Sequence, residues 1–587
     1  MLDRLRTYTR FEEEVKIVGS ANFSYALTDW LTARVVMSAD YQSESLTRAE
    51  GPTSFNALLF GGAENPTSGF QQQNSNRAFS YNQVTSLNFN KTFAEKHTVD
   101  VGLYTEYFKA HFRTFGYFAN GLDPRTFFPG DGSALIPTAG GLFVDNPQAN
   151  ILNAGLFSYF GSLDYDYDQK YGFAATVRRD ASYRFAGSNR WATFWSVSGR
   201  WNIDAEPFME GSAFNSLKLR GSYGTAGNQD IVGGGLFGGP DLTEDFFATT
   251  PGYGNANSIA LSQLGNRSLQ WETITTTNIG LDFAVWNSRL RGTFEVYQRK
   301  TTELFQSTPL SAVTGVTSQN ANTGELFNKG FDFDINYDVI RPAKADGFKA
   351  TVGIVGNYNE TELKDIPNPE GEIIGLGRNG GILFEYFTLR YVGVNPANGN
   401  LLYLDANGNV TENPDQDGDR VWLNKNIIPD WNGSFSVNLD YKGFFLTTQF
   451  NYVLGVDRFD NDYGGDLIDQ NSVGQFNLSS DLFREWTQPG DVTDIPSPNA
   501  SNLNSFGDSD RFLRDASFLR LRFASFGYTF PEKFLENTGF TNARIYVNGE
   551  NLFTWSEWRG YDPESRSNGS RIYPTPRTIS VGVELGF

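Results

Sequence analysis

Thr578-Ile-Ser-Val-Gly-Val-Glu-Leu-Gly-Phe587 closes the chain and alternates without a break. Ile579, Val581, Val583, Leu585 and Phe587 fall on one face, and Thr578, Ser580, Gly582, Glu584 and Gly586 on the other. Alternation at a period of two is the mark of a strand. An apolar face opposite a small or charged one suits a strand between lipid and an aqueous lumen. The edge strand of a soluble sandwich carries the same alternation, so the choice falls to the rest of the chain.

Working back from the terminus, the same pattern recurs in pairs. Val15, Ile17, Ala21, Phe23, Tyr25 and Leu27 alternate up to a turn at Thr28-Asp29, and Trp30 to Tyr41 reads as the returning strand. Further hairpins are Val84 to Phe93 with Thr98 to Phe112, and Leu156 to Tyr167 with Tyr171 to Arg179. Thr273 to Val285 pairs with Arg289 to Lys300, and Phe331 to Val339 with Phe348 to Tyr358. Gly433 to Tyr441 pairs with Phe444 to Val453, and Phe518 to Phe530 with Ala543 to Phe553. The pattern predicts about 16 strands of about 9–13 residues each, longer than soluble strands and long enough to cross a membrane at a tilt.

The connections alternate in length. Asp168 to Lys170, Asn287-Ser288 and Lys442-Gly443 are tight, whereas Ser43 to Asn76, Arg113 to Ile151, Asn228 to Ser268, Leu363 to Arg390 and Arg458 to Asp515 are long and polar. Short periplasmic turns and long extracellular loops are the layout of an antiparallel transmembrane β-barrel, an all-β fold. No fixed blade period appears, which argues against a propeller.

Composition agrees. Of 587 residues, 51 are Phe, 27 Tyr, 11 Trp and 61 Gly, as suits many strands with one apolar face each. Net charge is −20, which repels nucleic acid. With no cysteine and only two histidines, His97 and His111, thiolate chemistry, disulfides and multi-His metal sites are excluded. Mean hydropathy is −0.40, and no apolar run is long enough for a helical span.

Ordered motifs then carry a resemblance. Phe518-Leu-Arg-Leu-Arg522 through Gly527-Tyr-Thr-Phe-Pro531, Ala543 to Phe553, Gly560-Tyr-Asp-Pro-Glu564 and Tyr573-Pro-Thr-Pro-Arg577 lie at the C-terminal end. Arg178 to Phe185, Leu217 to Gly224 with Gly227 to Ile231, Leu269 to Thr273, Thr277 to Asp282 and Asn328-Lys-Gly330 precede them. Together they resemble the SusC/RagA family of TonB-linked outer-membrane transporters, in the C-terminal barrel portion. The resemblance implies an outer-membrane location in a Gram-negative, Bacteroidota-type cell. It implies energised uptake of oligosaccharides or peptides with a SusD-like surface lipoprotein as lid, and contact with the TonB complex through an N-terminal region. It also marks the terminal Phe587 as a barrel-assembly signal. Such transporters close at about 22 strands around a plug. Residues 1–587 are therefore expected to be a partial barrel, a fragment without signal peptide or plug domain. A plugless diffusion porin and a soluble all-β binding protein are the alternatives.

No catalytic constellation emerges, so an enzyme is not expected. His97 and His111 share one hairpin and read as wall and turn residues rather than triad members. The glycine-rich stretches Gly233-Gly-Gly235 and Gly238-Gly239 precede no helix and do not read as a phosphate cradle. Asp405-Ala-Asn-Gly-Asn409 and Asn413-Pro-Asp-Gln-Asp-Gly-Asp419 space oxygen ligands at alternate residues. Asp415, Asp417 and Asp419 are thus calcium candidates, but Asn424 stands where an EF-hand needs its bidentate Glu, and an Asx-rich turn explains the pattern too. Otherwise no cofactor is expected. The loop aromatics Phe246, Phe247, Tyr386 and Trp422 are candidate sugar-stacking faces, while Trp30, Trp191, Trp195, Trp201, Trp286 and Trp555 suit interfacial girdles.

Overall fold

The computed structural model describes the chain apart from residues 1–3, 56, 59–68, 121, 124, 131–145, 231–234, 345, 369, 504–508, 537 and 565–573. Ile231, Gly233, Gly234, Tyr573 and part of the Arg113 to Ile151 segment thus lie outside the described residues.

One 17-stranded antiparallel sheet forms the body. Its strands are β1 (Tyr8–Thr28), β2 (Leu31–Glu50), β3 (Phe70–Phe93), β4 (His97–Asn120), β5 (Asn146–Tyr167) and β6 (Tyr171–Ser182). β7 (Trp191–Asn202), β8 (Phe214–Asn228), β9 (Glu272–Val285), β10 (Leu290–Thr302), β11 (Glu325–Ile340) and β12 (Lys349–Lys364) follow. β13 (Trp431–Tyr441), β14 (Phe444–Leu454), β15 (Phe518–Thr529), β16 (Asn542–Ser556) and β17 (Thr578–Gly586) complete it. Each strand pairs with the next in sequence, a plain meander from β1 to β17. Among the described residues β1 pairs only with β2 and β17 only with β16, so the barrel wall is an open sector.

Each hairpin named from the sequence is present, and β7 and β8 add a pair the alternation did not single out. Strand length departs from expectation: β1 to β5 run 21, 20, 24, 24 and 22 residues. In β2 and β3 the added stretch, Gln71 to Asn76 opposite Glu44 to Ala49, is largely polar on both faces yet fully paired. Above a bilayer, pairing needs backbone hydrogen bonds and no apolar face, so hydropathy does not mark where these strands end.

The tight turns use left-handed backbone. Lys442 (φ 49°) and Gly443 (φ 87°) form a two-residue connection of the kind that matches strand twist, and a side chain at Gly443 would strain it. Ala94 with Glu95, and Asp168 with Gln169, are likewise left-handed, in three-residue turns at the foot of β3–β4 and β5–β6. The connections 203–213, 341–348 and 530–541 at that end are longer than these tight turns, and the last two have the length that the paired strand ranges implied.

Register sorts the faces. Leu87, Leu103, Val177, Ile279, Ile354, Phe526 and Val583 lie on one parity, outward and solvent-exposed, as a lipid-facing surface requires. The other parity is polar and cross-linked. Arg178 pairs with Glu106 at 2.7 Å and Asp180 at 2.6 Å, Arg220 pairs with Asp282 at 3.1 Å and with Glu295, and Lys218 lies 3.5 Å from Asp282. A wall apolar outside and hydrogen-bonded inside encloses an aqueous lumen.

Candidate functional site

Among the described residues, the two long segments 365–430 and 455–517 at the other end are folded into small sheets and a buried core. Between β12 and β13, Glu385–Thr388 pairs with Val421–Asn426, and Arg390–Val394, Leu401–Leu404 and Val410–Thr411 make a small sheet. Leu389, Val394, Leu401 and Tyr403 form a buried core beneath it, with Trp486 from the β14–β15 segment packed against them. Apolar burial therefore joins the two longest loops into one cap.

That cap uses two of the candidate aromatics internally. Tyr386 packs edge-on against Phe459 at 5.1 Å, and its hydroxyl donates to the Asp457 carbonyl at 3.1 Å. Burial pushes its pKa up to about 12. Trp422 packs on Phe387 at 4.8 Å and donates through Nε1 to Glu372 Oε2 at 2.7 Å. Phe246 and Phe247 lie instead on an exposed hairpin, Phe246–Pro251 with Asn257–Gln263, and Phe247 is 65% exposed. The candidate aromatics thus divide into two packed rings and two free ones.

Asp415, Asp417 and Asp419 share one turn. Asp419 accepts from Ala406 N through Oδ1 and from Asp415 N through Oδ2, both at 2.7 Å, and Asp415 Oδ1 accepts from Asp417 N at 3.1 Å. These are Asx-type bonds. Among the described residues no three His, Asp or Glu side chains converge as a cation site would need.

Where the two loop systems meet, a cleft of about 760 Å³ opens between residues 391–393 and 484–494. Arg484, Glu485, Asp491, Thr493 and Asp494 line it, so it is charged with both signs. Arg484 lies 3.3 Å from Asp481 and 3.4 Å from Asp494. Arg511 stands behind Tyr391, 5.6 Å from that ring and 4.7 Å from the Phe512 ring, and burial lowers its pKa. Asp510 next to it accepts from Tyr391 N at 2.7 Å, and burial raises its carboxyl.

The cleft is tied to the barrel. Asp481 accepts from the Tyr463 hydroxyl and from Arg559 of the last loop, at 2.7 and 2.8 Å. The Tyr463 hydrogen bond leads the causes that hold Asp481 below the usual carboxylate range. Further along that loop, Asp562 and Glu564 meet Arg520 of β15 at 2.5 and 2.8 Å, and Glu564 also meets Arg522 at 3.1 Å. Burial would raise the Asp562 carboxyl, but the Glu564 N–H, the Arg520 guanidinium and Thr575 outweigh it and hold it low. Gly560 passes so close to the buried Asp460 that an added Cβ would lie 2.4 Å from Oδ1. Sequence reasoning missed these partners. Arg520, Gly560, Asp562 and Glu564 all stood in the quoted motifs, yet a contact across some 40 residues leaves no mark on either segment.

Residues 3–552 match the family model described as TonB dependent receptor-like, beta-barrel. The chain belongs to that family. Its members are receptors and transporters of the outer membrane, and this barrel is an outer-membrane protein of the Bacteroidota type. The chain is 29% identical to TonB-dependent receptor P3 of Formosa agariphila over 97% of its own length and 58% of that protein's. It is 30% identical to TonB-dependent receptor SusC of Bacteroides thetaiotaomicron over 74% of itself and 44% of that protein. It thus spans about half the length of these relatives. The fold matches the structure of the RagAB peptide transporter with a TM-score of 0.82 at 22% identity, covering 99% of this chain and 63% of that one. The SusC/RagA likeness read from the motifs therefore holds at the level of family and fold.

Proposed function

We propose that this barrel works in an outer-membrane nutrient importer of the SusC type, taking up oligosaccharides or peptides under a SusD-like lipoprotein lid, with energy from the TonB complex. The observation that carries the reading is the charged cleft, joined through Asp481, Arg559 and the 557–577 loop to Arg520 in the wall of a polar lumen. A ligand held at the loops and a conduit behind them are what stepwise import needs. The 17 strands are then the C-terminal sector of a barrel that further strands close and a plug fills. Of the four candidate aromatics, Phe247 is the most exposed and so the freest to meet substrate or lid.

The chain carries transport rather than catalysis. His97 is hydrogen-bonded to the Tyr165 hydroxyl and His111 to the Asn153 amide, which supports wall roles for both. Deletion of the gene in its host, followed by growth on a panel of oligosaccharides and peptides, tests the proposal. Growth should fail on one substrate class and return with the full-length gene. Unchanged growth on every member of a panel that supports the wild type counts against it.

A further inference from the structure

The outward face carries a feature that import does not use. Arg77 on β3, Lys109 and Arg113 on β4, and Arg179 on β6 are exposed and share the parity of the lipid-facing Leu103, Tyr107, Phe157 and Val177. Arg77 stands directly opposite Arg113, an unfavourable like-charge pair. Among the described residues none of the four meets an acidic side chain, and Arg179 only overlies the Trp191 ring at 5.6 Å.

The clustering is local. On β10–β12 the outward cations do have acids: Lys300 meets Glu325 at 2.8 Å, Lys364 meets Glu362 at 3.2 Å, and Lys329 stands opposite Glu360. A chain of net charge −20 has acid to spare, so an outward sector of unpaired cations needs an anion from elsewhere.

Directly below Arg179 the same face is concave. A groove of about 550 Å³ runs over Gly161 between Leu87, Leu103, Val177 and Tyr159, with Arg179 at its rim. Along a strand rising about 3.3 Å per residue at a tilt near 40°, Arg179 stands about 20 Å above Tyr171. An apolar band is about 25 Å tall, so Arg179 stands in its upper part, level with the aromatic cluster of Phe157, Tyr159 and Trp191, where a guanidinium reaches up to the headgroups. Lys109, Arg113 and Arg77 stand higher, at headgroup level.

We propose that the outward face of β3–β6 binds a phosphate-bearing lipid of the outer leaflet. An acyl chain lies in the groove over Gly161, and the headgroup phosphates are held by Arg179, Lys109 and the Arg77/Arg113 pair. Gly161 leaves the floor open: an added Cβ would meet Leu103 Cδ2 only at 3.5 Å, so a larger residue fits there by filling the groove.

Native mass spectrometry of the full-length protein in detergent, with bis-phosphorylated lipid A as probe, tests the site. The wild type should retain the lipid. Arg77→Gln/Lys109→Gln/Arg113→Gln should weaken retention about tenfold or more, and the dephosphorylated lipid should bind the wild type correspondingly less. Gly161→Leu should lower retention with every cation in place, while heat-modifiable migration shows that each variant is folded. Equal retention by the folded triple variant, or of the dephosphorylated lipid, overturns the proposal. So does displacement of the lipid by inorganic phosphate, which would mark a free-anion site, or binding of an acidic lipoprotein in place of lipid.

Discussion

Arg520 Nη2 lies 2.5 Å from Asp562 Oδ1, and both side chains are buried although one belongs to a barrel strand and the other to an extracellular loop. Glu564 completes the tie by bridging Arg520 and Arg522. Two motifs that identify the family by sequence are thus one structural unit. The strand motif supplies the cations and the loop motif the carboxylates.

Breaking one side of that unit leaves the buried Arg520 with only the exposed Glu564 as its counter-charge. Asp562→Asn is expected to loosen the loop that carries it by about 1.5–3 kcal/mol, read as faster protease cleavage there with the barrel still intact. The Asp562 carboxyl is held below its ordinary value, so the tie is fully present above the unfolded Asp pKa. It is lost as pH falls through the lowered folded value. Cleavage rates should therefore be flat from neutrality to about pH 5 and rise only in stronger acid.

Gly560 is constrained by space rather than by backbone angle. Gly560→Ala drives a methyl into the Asp460 carboxylate and is expected to cost about 1–3 kcal/mol, measured as a lower melting temperature for loss of the folded loops. Gly465 provides the control, because a Cβ added there would meet nothing within 4 Å, and Gly465→Ala should be close to neutral.

The candidate aromatics should separate by experiment as they separate in space. Tyr386→Phe removes one hydroxyl bond to Asp457 and is expected to cost about 1 kcal/mol of cap stability with substrate affinity unchanged. Phe247→Ala should leave the melting temperature within about 0.5 kcal/mol of wild type and weaken substrate or lid binding. The reverse assignment of effects would move the contact surface from the hairpin to the β12–β13 loop.

Calcium at about 1 mM, the range of weak extracellular sites, is expected to leave the melting curve unchanged. Both oxygens of Asp419 already accept backbone N–H groups. A calcium-dependent rise in melting temperature that Asp415→Asn removes would show that the turn rearranges to take the ion.

The membrane-facing strands were legible because period-two alternation between an apolar and a polar face is written in each one, from Val15 to Leu27 and from Ile579 to Leu585. What hid β7 was its composition: Trp191, Trp195 and Trp201 read as belt residues near strand ends, whereas Trp195 stands mid-strand against Tyr223. The upper parts of β2 and β3 were hidden because, above lipid, neither face has to be apolar. The cleft was hidden for another reason. Arg484, Asp491 and Asp494 look like solvated loop charges, and only the packing of Trp486 against the 389–403 core brings them beside Tyr391.

Energy dependence bears most directly on the importer reading. Cells making the full-length protein should take up the substrate found by the growth panel, and a protonophore should abolish that uptake within minutes while leaving surface binding intact. Uptake that continues unchanged in de-energised cells would contradict the importer and make the barrel a diffusion pore.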